Sequence, residues 1–499
     1  MELFSSSVLV ILCFVTVWAW VHNSNSRIRK SIKPLPPGPY PLPIIGNILQ
    51  LGQSPHKSLA KLSKKYGPLM YLKLGSLDTV VVSSPEMAKE ILQKHDQVFS
   101  DRTILVASQA HDYHNFSLGF LPVGGQWKNL RKICKEHMFS TPQLDSSKSL
   151  RQEKLHKLRD YVQECCHRGQ AINFAEAAFK VTLSLMSATL FSIDLAPFDS
   201  NSCHELKEMV RSMMEVLGTP NLADFFPVLK RVDPQGIKHK SNICIGKLLD
   251  FFEDIINQRL QSRDSSEVQK DLLEALLNIS QRNESELSSN QIKYLLMDLF
   301  SAGTDTTATT VEWAMTELLR NPEKMSKAQQ EIRGVIGENE QVEESDISRL
   351  PYLQAVVKEV LRCHPAGPLL VPHKAETDVE IDGYMIPKNA QVLVNFWAIG
   401  RDSNVWFNPD SFEPERFLDK KIDYKGQDFE LIPFGSGRRM CPGYPLAHRM
   451  LHLILATLVH RFNWKLEGGM KPEEVDLNDK FGITLEKAVP LKAVPTHVF

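Results

Sequence analysis

Apolar residues between Gln291 and Leu319 recur at helical spacing, with Leu295, Leu296, Leu299, Phe300, Ala302 and Val311 on recurring faces. That pattern predicts one long helix. In its middle, Ala302-Gly303-Thr304-Asp305-Thr306-Thr307 puts glycine and hydroxyl residues where apolar ones would be expected, a poor composition for a helix interior. Serine and threonine side chains bond back to the turn above, so a bend that frees backbone groups is expected here. A second helical pattern covers Leu353 to Cys363 and places Glu359 and Arg362 at i and i+3 on one face. Trp127 and Arg131, four apart, share a face of another helix. A further pattern begins near Tyr444, directly after a loop rich in glycine and arginine.

At the amino terminus the pattern changes to near-continuous hydrophobicity. Residues 3–21 carry no charge, and Trp18 and Trp20 lie near the end of the run. That is about the length needed to span a bilayer, and tryptophan favours its interface. Arg27, Arg29, Lys30 and Lys33 follow it. Cations after the run favour an uncleaved anchor over a cleaved signal peptide, and they place the remaining chain in the cytosol. Residues 22–40 form a basic, proline-rich hinge, and Pro34-Leu35-Pro36-Pro37-Gly38-Pro39 reads as a stiff spacer. Residues 41–499 contain no repeat, linker or low-complexity tract and read as one large domain.

Composition narrows the class only slightly. The chain has 499 residues, 42% hydrophobic and 23% charged, with a formal net charge of -1, so no basic excess points to nucleic acid. Eight cysteines show no paired spacing, which suits reduced thiols on the cytosolic side.

Candidate chemistry centres on Cys441, within Phe434-Gly435-Ser436-Gly437-Arg438-Arg439-Met440-Cys441-Pro442-Gly443. The glycines allow a tight loop, and the helix from Tyr444 aims its positive end at the sulfur. Arg438 and Arg439 add charge, and both effects favour thiolate. Without a second cysteine nearby, disulfide and zinc chemistry lack partners. A lone electropositive thiolate suits an axial ligand of haem iron; an inert core thiol is the plain alternative. Beside such a metal, Thr306 would hold a hydrogen bond to bound dioxygen and Asp305 would pass protons inward.

The Cys441 segment resembles the haem-binding loop of the cytochrome P-450 superfamily, Phe-x-x-Gly-x-Arg-x-Cys-x-Gly, at every fixed position. Residues 302–307 resemble its oxygen-activation motif, and Glu359-Val360-Leu361-Arg362 resembles its Glu-x-x-Arg. The resemblance implies a mainly α fold with a smaller β-rich region in a single large domain. It implies a structural triad of Glu359, Arg362 and Arg416, and haem b held by Cys441, Trp127, Arg131, His373, Arg439 and Phe434. Lys128, Lys132, Lys135, Arg438 and Arg449 would form a basic face for an acidic electron donor.

Stretches such as Tyr66-Gly67-Pro68-Leu69 and Asp233-Pro234-Gln235-Gly236-Ile237 look like plant microsomal members, in the group with geraniol hydroxylase and ferruginol synthase. That implies a single-pass protein of the endoplasmic reticulum membrane with a cytosolic catalytic domain. It would use O2 and take electrons from NADPH through NADPH-cytochrome P-450 reductase, with cytochrome b5 as a further donor. Its substrate would be a hydrophobic specialised metabolite, a terpenoid such as a monoterpenol or a diterpene, held by Phe116, Leu118, Phe225, Phe300, Ala302, Leu369, Leu370, Phe481 and Ile483. Alternatives are hydroxylation of a phenolic or tyrosine-like substrate, an isomerase or dehydratase acting on hydroperoxides, and a catalytically silent haem or ligand-binding subunit.

Overall fold

Ser288 starts the longest helix. Its side chain accepts from the Gln291 amide at 3.3 Å, while the Gln291 side chain accepts from the Ser288 amide at 2.7 Å, a capping box that satisfies two orphan donors. The computed structural model describes residues 16, 33–197, 203–262, 271–282, 287–337 and 340–497. The expected anchor at 3–21 and the basic part of the hinge lie, apart from residue 16, outside the described residues.

The helices that position the site are α1 (Pro55–Tyr66), α2 (Gly125–Cys134), α3 (Phe174–Phe191), α4 (Cys203–Gly218), α5 (Ile237–Ser262), α6 (Ser289–Arg320), α7 (Pro351–Cys363) and α8 (Tyr444–His460). With 32 residues, α6 is roughly 48 Å long at 1.5 Å per residue. It runs through the middle of the molecule, with α3 alongside it and α5, α7 and α8 also against it. Gly303 lets α3 approach closely: a Cβ there would lie 2.7 Å from Met186 Cε. The α-helical pattern runs unbroken from Ser289 to Arg320, and the expected back-bonding of its hydroxyl residues is present within it. The hydroxyls of Thr304, Thr306 and Thr310 each donate to the carbonyl four residues back, at 2.7, 2.7 and 2.8 Å.

Beside this helical body stands a five-stranded sheet. Its strands are β1 (Leu69–Leu74), β2 (Leu77–Val82), β3 (Asp101–Arg102), β4 (His373–Lys374) and β5 (Gln391–Val394), in the order β1-β2-β5-β4-β3. Only the β2–β5 pair is parallel. The β3–β4 pairing sets Arg102 opposite His373, although 271 residues of sequence separate them. A separate two-stranded hairpin, β6 (Asp479–Lys480) and β7 (Glu486–Lys487), lies against α6.

The main apolar core spans the helices and continues under the sheet. A smaller one, with Leu59 of α1, Leu72, Val81 and Phe225, fills the space between α1 and the sheet. The proline-rich segment is not a free spacer over its described part. Pro34 accepts from the Met385 amide at 2.8 Å and Pro37 from the Tyr71 amide at 2.9 Å, so the chain is already laid against the domain there. Among the described residues, one helix, Phe174–Phe191, is long and apolar enough to cross a membrane. It is α3, and 78% of it is buried inside the protein, so its hydrophobicity serves the core.

Candidate active site

A cavity of about 390 Å³ lies between α6 and the Cys441 loop. The loop is held tightly. The Cys441 amide donates to the Phe434 carbonyl at 2.9 Å. Gly437 sits at φ +66°, and any Cβ there would meet the Leu92 carbonyl at 2.0 Å, so both its conformation and its neighbour require glycine.

Cys441 lines this cavity. Burial pushes its thiol up, while the backbone amides of Gly443 and Tyr444 at the start of α8 and the Arg131 guanidinium pull it down. The helix terminus acts as the sequence suggested, but the cation does not come from the loop. Arg438 is exposed and pairs with Asp96 at 2.9 Å, and Arg439 turns to the carbonyl of Ser100 at 2.7 Å. With burial outweighing the rest, the thiolate needs a further positive charge on the cavity side.

One wall of the cavity is cationic. Arg131 donates to the Met440 carbonyl at 2.8 Å and Arg102 to the Val371 carbonyl at 2.6 Å. With Arg439, three guanidinium groups line the cavity, and none pairs with a carboxylate among the described residues. Burial lowers all three, Arg439 to about 10. The Trp127 ring lies between Arg131 and Arg439, 5.4 and 4.9 Å from their guanidinium carbons, and its Nε1 donates to the Leu118 carbonyl at 3.2 Å. His373 Nδ1 donates to the Phe99 carbonyl at 2.7 Å, and burial beside Arg102 holds its pKa well below the ordinary value. Phe434 also faces the cavity. Unpaired buried cations call for anionic partners. A thiol aimed into the same space calls for a metal. Together they fit a planar iron group with carboxylate arms, and Trp127, Arg131, His373, Arg439, Phe434 and Cys441 converge on the space it would fill.

Arg102 escaped the sequence reading. Nothing local marks it, and only its pairing opposite His373 brings it to the wall. Asp298 escaped as well. It lines the cavity from α6 and accepts from Tyr113 Oη at 2.5 Å, Ser117 Oγ at 3.0 Å and the Leu118 amide at 2.6 Å.

Thr306 lines the cavity and Asp305 does not. Asp305 points to the β6–β7 hairpin, within hydrogen-bonding reach of the Thr484 hydroxyl, and burial raises its pKa to about 6. Glu359 meets both arginines expected beside it. Its carboxylate accepts from Arg362 Nε and Nη2 at 2.7 Å each and from Arg416 Nε at 3.0 Å. Arg362 also reaches the carbonyls of Pro409 and Ser411, at 2.7 and 3.0 Å. The cluster thus ties α7 to a loop of irregular structure.

Of the expected pocket residues, Leu118, Ala302, Leu370 and Ile483 line the cavity. The other five lie elsewhere, which corrects their expected placement. Phe116 stacks on Tyr294, with centroids 4.9 Å apart. Phe300 is fully buried and packs on Phe252 at 5.4 Å. Phe225 and Leu369 belong to the small core under the sheet. Phe481 stacks on His56 at 5.5 Å. The aromatic rings serve packing, while methionines that the sequence did not single out, Met186, Met213 and Met214, supply much of the adaptable apolar wall.

Sequence comparison agrees in range with this architecture. The sequence profile described as Cytochrome P450 matches residues 36–489. The chain is 57% identical over 484 residues to Cytochrome P450 76T24 of Catharanthus roseus, covering 96% of this chain and 97% of that one. It is 51% identical to sugiol synthase of Salvia miltiorrhiza, covering 98% and 99%. It is 50% identical to geraniol 8-hydroxylase of Catharanthus roseus, covering 95% and 97%.

Proposed function

The chain belongs to the cytochrome P450 family, and from that membership we propose that it is a membrane-anchored monooxygenase that hydroxylates a lipophilic terpenoid. Monooxygenase activity and a haem-thiolate iron come with the family. When bound, the haem supplies the iron at which dioxygen is activated and one oxygen atom enters a C–H bond. Cys441 would hold the iron through its sulfur, which would donate electron density to it. Arg131, Arg439 and Arg102 would bind its carboxylates, with Trp127 and His373 completing that wall. Thr306 would hold a proton donor at the cavity wall, and Asp305 would resupply protons.

The observation that carries the reading is a single cavity lined both by guanidinium groups and a thiol and by the apolar side chains of Leu118, Met213, Met214, Ala302 and Ile483. An apolar wall with few polar anchors holds a hydrophobic ligand by shape. The relatives named sugiol synthase and geraniol 8-hydroxylase support a terpenoid over a phenolic or tyrosine-like substrate.

Electrons would come from NADPH through a separate reductase, with cytochrome b5 as a further donor. Lys128, Lys132 and Lys135 are exposed on and just after α2, the helix whose inner face carries Arg131, and they suit an acidic partner. Arg449 is less suited than expected, because it pairs with Asp145 at 2.8 Å and Glu344 at 2.6 Å; Arg438 is likewise held by Asp96. Residues 3–21 would anchor the protein in the endoplasmic reticulum membrane with the catalytic domain in the cytosol.

The test is product analysis by mass spectrometry. Microsomes containing the full chain and a plant reductase are offered monoterpenols, abietane-type diterpenes and phenolics, with and without NADPH. A terpenoid heavier by one oxygen, formed only with NADPH, is expected. Turnover of the phenolics alone would overturn the substrate assignment.

A further inference from the structure

Asp305 does not line the cavity, although its neighbour Thr306 does. Asp305 is 6% exposed; one carboxylate oxygen, Oδ2, is buried without a hydrogen-bond partner among the described residues. Its carboxyl is within reach of the Thr484 hydroxyl. Thr484 is 5% exposed and does line the cavity. Thr306, next to Asp305 on α6, already donates its own hydroxyl proton to the Ala302 carbonyl at 2.7 Å.

We propose that Thr484, on the turn between β6 and β7, is the relay through which Asp305 exchanges protons with the cavity. The inference rests on the monooxygenase reading and on the assignment of proton supply to Asp305. In each pass, the Asp305 carboxyl gives its proton to Thr484 Oγ1 as the hydroxyl proton of Thr484 moves to acceptors in the cavity. Thr484 ends unchanged and Asp305 is left as carboxylate. Two passes provide the two protons that leave in water, while the two electrons come from NADPH through the reductase.

The position of Thr484 is held from both sides. The following amide, of Leu485, donates to the Ala366 carbonyl at 2.8 Å, and Trp313 Nε1 of α6 donates to the Leu485 carbonyl at 3.1 Å. On the other side, Gly218 at the end of α4 packs so closely that a Cβ would lie 1.9 Å from the Ile483 amide. The outer end of the route is charged. Arg211 of α4 pairs with Glu486 of β7 at 3.7 Å, both partly exposed. Glu486, Arg211 and Lys207 all act on the Asp305 charge, Glu486 raising its pKa and the two cations lowering it. Arg211 and Glu486 therefore mark where solvent protons would enter.

The test uses the full chain in membranes with its reductase. Thr484→Val keeps the shape and removes the hydroxyl. It should keep the thiolate-type carbon monoxide spectrum and the affinity for substrate measured by its optical shift. Product formed per NADPH should fall about a hundredfold, the low end for loss of a proton-transfer group, with electrons diverted to hydrogen peroxide. Thr484→Ser should restore coupling.

A second readout needs no turnover. The Thr484 hydroxyl lowers the Asp305 pKa, so Thr484→Val should raise it further. The resting protein should then gain thermal stability on acidification at a higher pH than wild type, and the change should vanish in Asp305→Asn.

A coupled Thr484→Val with an unshifted stability profile overturns the relay. So does equal uncoupling in the valine and serine variants, because that is a packing effect. If Thr306→Ala uncouples while Thr484→Val does not, the relay alone fails. If both stay coupled, the proton-supply reading beneath it fails too.

Discussion

Asp298 of α6 and Tyr113 of the segment opposite form a part-buried 2.5 Å hydrogen bond at the cavity wall. Burial raises the Asp298 carboxyl to about 6 and the Tyr113 phenol well above its ordinary value. With Ser117 and the Leu118 amide on the same carboxylate, this is the clasp that fixes Leu118 against the substrate space. Asp298→Ala strips the acceptor from three donors, and each unsatisfied buried donor costs about 1–3 kcal/mol. The variant should melt several degrees lower, and its product mixture should broaden because the loop is no longer registered. A product profile identical to wild type would show that the clasp does not shape the pocket.

Arg102 predicts a separable effect on cofactor retention. Arg102→Leu removes one of three unpaired guanidinium groups on the cationic wall and leaves the thiol loop intact. Haem transfer to apomyoglobin should be roughly tenfold faster, equivalent to about 1.4 kcal/mol, the size of one charge-assisted hydrogen bond. The carbon monoxide spectrum of the retained fraction should be unchanged. Unaltered transfer would remove Arg102 from the haem site.

Glu359 sits between two buried guanidinium groups and is itself 0% exposed. Glu359→Gln leaves Arg362 without a counter-charge and Arg416 with only Glu413, at 3.5 Å, at a cost of about 3–5 kcal/mol. The expected result is little folded protein and almost no thiolate-type spectrum. Arg362→Lys should not rescue the fold, because an ammonium cannot reach Glu359, Pro409 and Ser411 in one fork. A variant with wild-type yield would mean the cluster adds little to stability.

His452 sets an acid limit on stability. Burial lowers its pKa to about 3, helped by His448 and Lys358 and opposed by the His448 carbonyl and Asp423. Its Nε2 is buried without a hydrogen-bond partner among the described residues. The folded value is depressed, so the unfolded chain takes up a proton below about 6.5 that the folded protein refuses. Stability is therefore lost as pH falls through that value. At pH 5 the cost is about 2 kcal/mol. His452→Leu should accordingly gain melting temperature at pH 5 relative to pH 7.5. An equal shift at both pH values would point to packing instead.

Much of the site was legible because its signals are local. The glycines and arginine around Cys441, the Thr-rich centre of α6 and the Glu359–Arg362 spacing each concern residues within a few turns of one another. Helix bounds followed for the same reason: the expected 291–319 and 353–363 became Ser289–Arg320 and Pro351–Cys363. A period of 3.6 in apolar residues states which faces are buried.

That period does not state what buries them. Phe300 and Ala302 are neighbours on one helix, yet Phe300 is sealed against Phe252 and Ala302 faces the cavity. Core and pocket use the same side chains, so only the packing of α3 and α5 against α6 separates them. The amino-acid sequence by itself determined the thiol loop, the long helix and the Glu359–Arg362 pair, while Arg416 reaches that pair through the fold. Tertiary structure decided that Arg102 joins the cationic wall through its strand pairing with His373, and that Asp305 turns away from the cavity toward Thr484. Each of those depends on contacts between segments far apart in the chain, which no local pattern encodes.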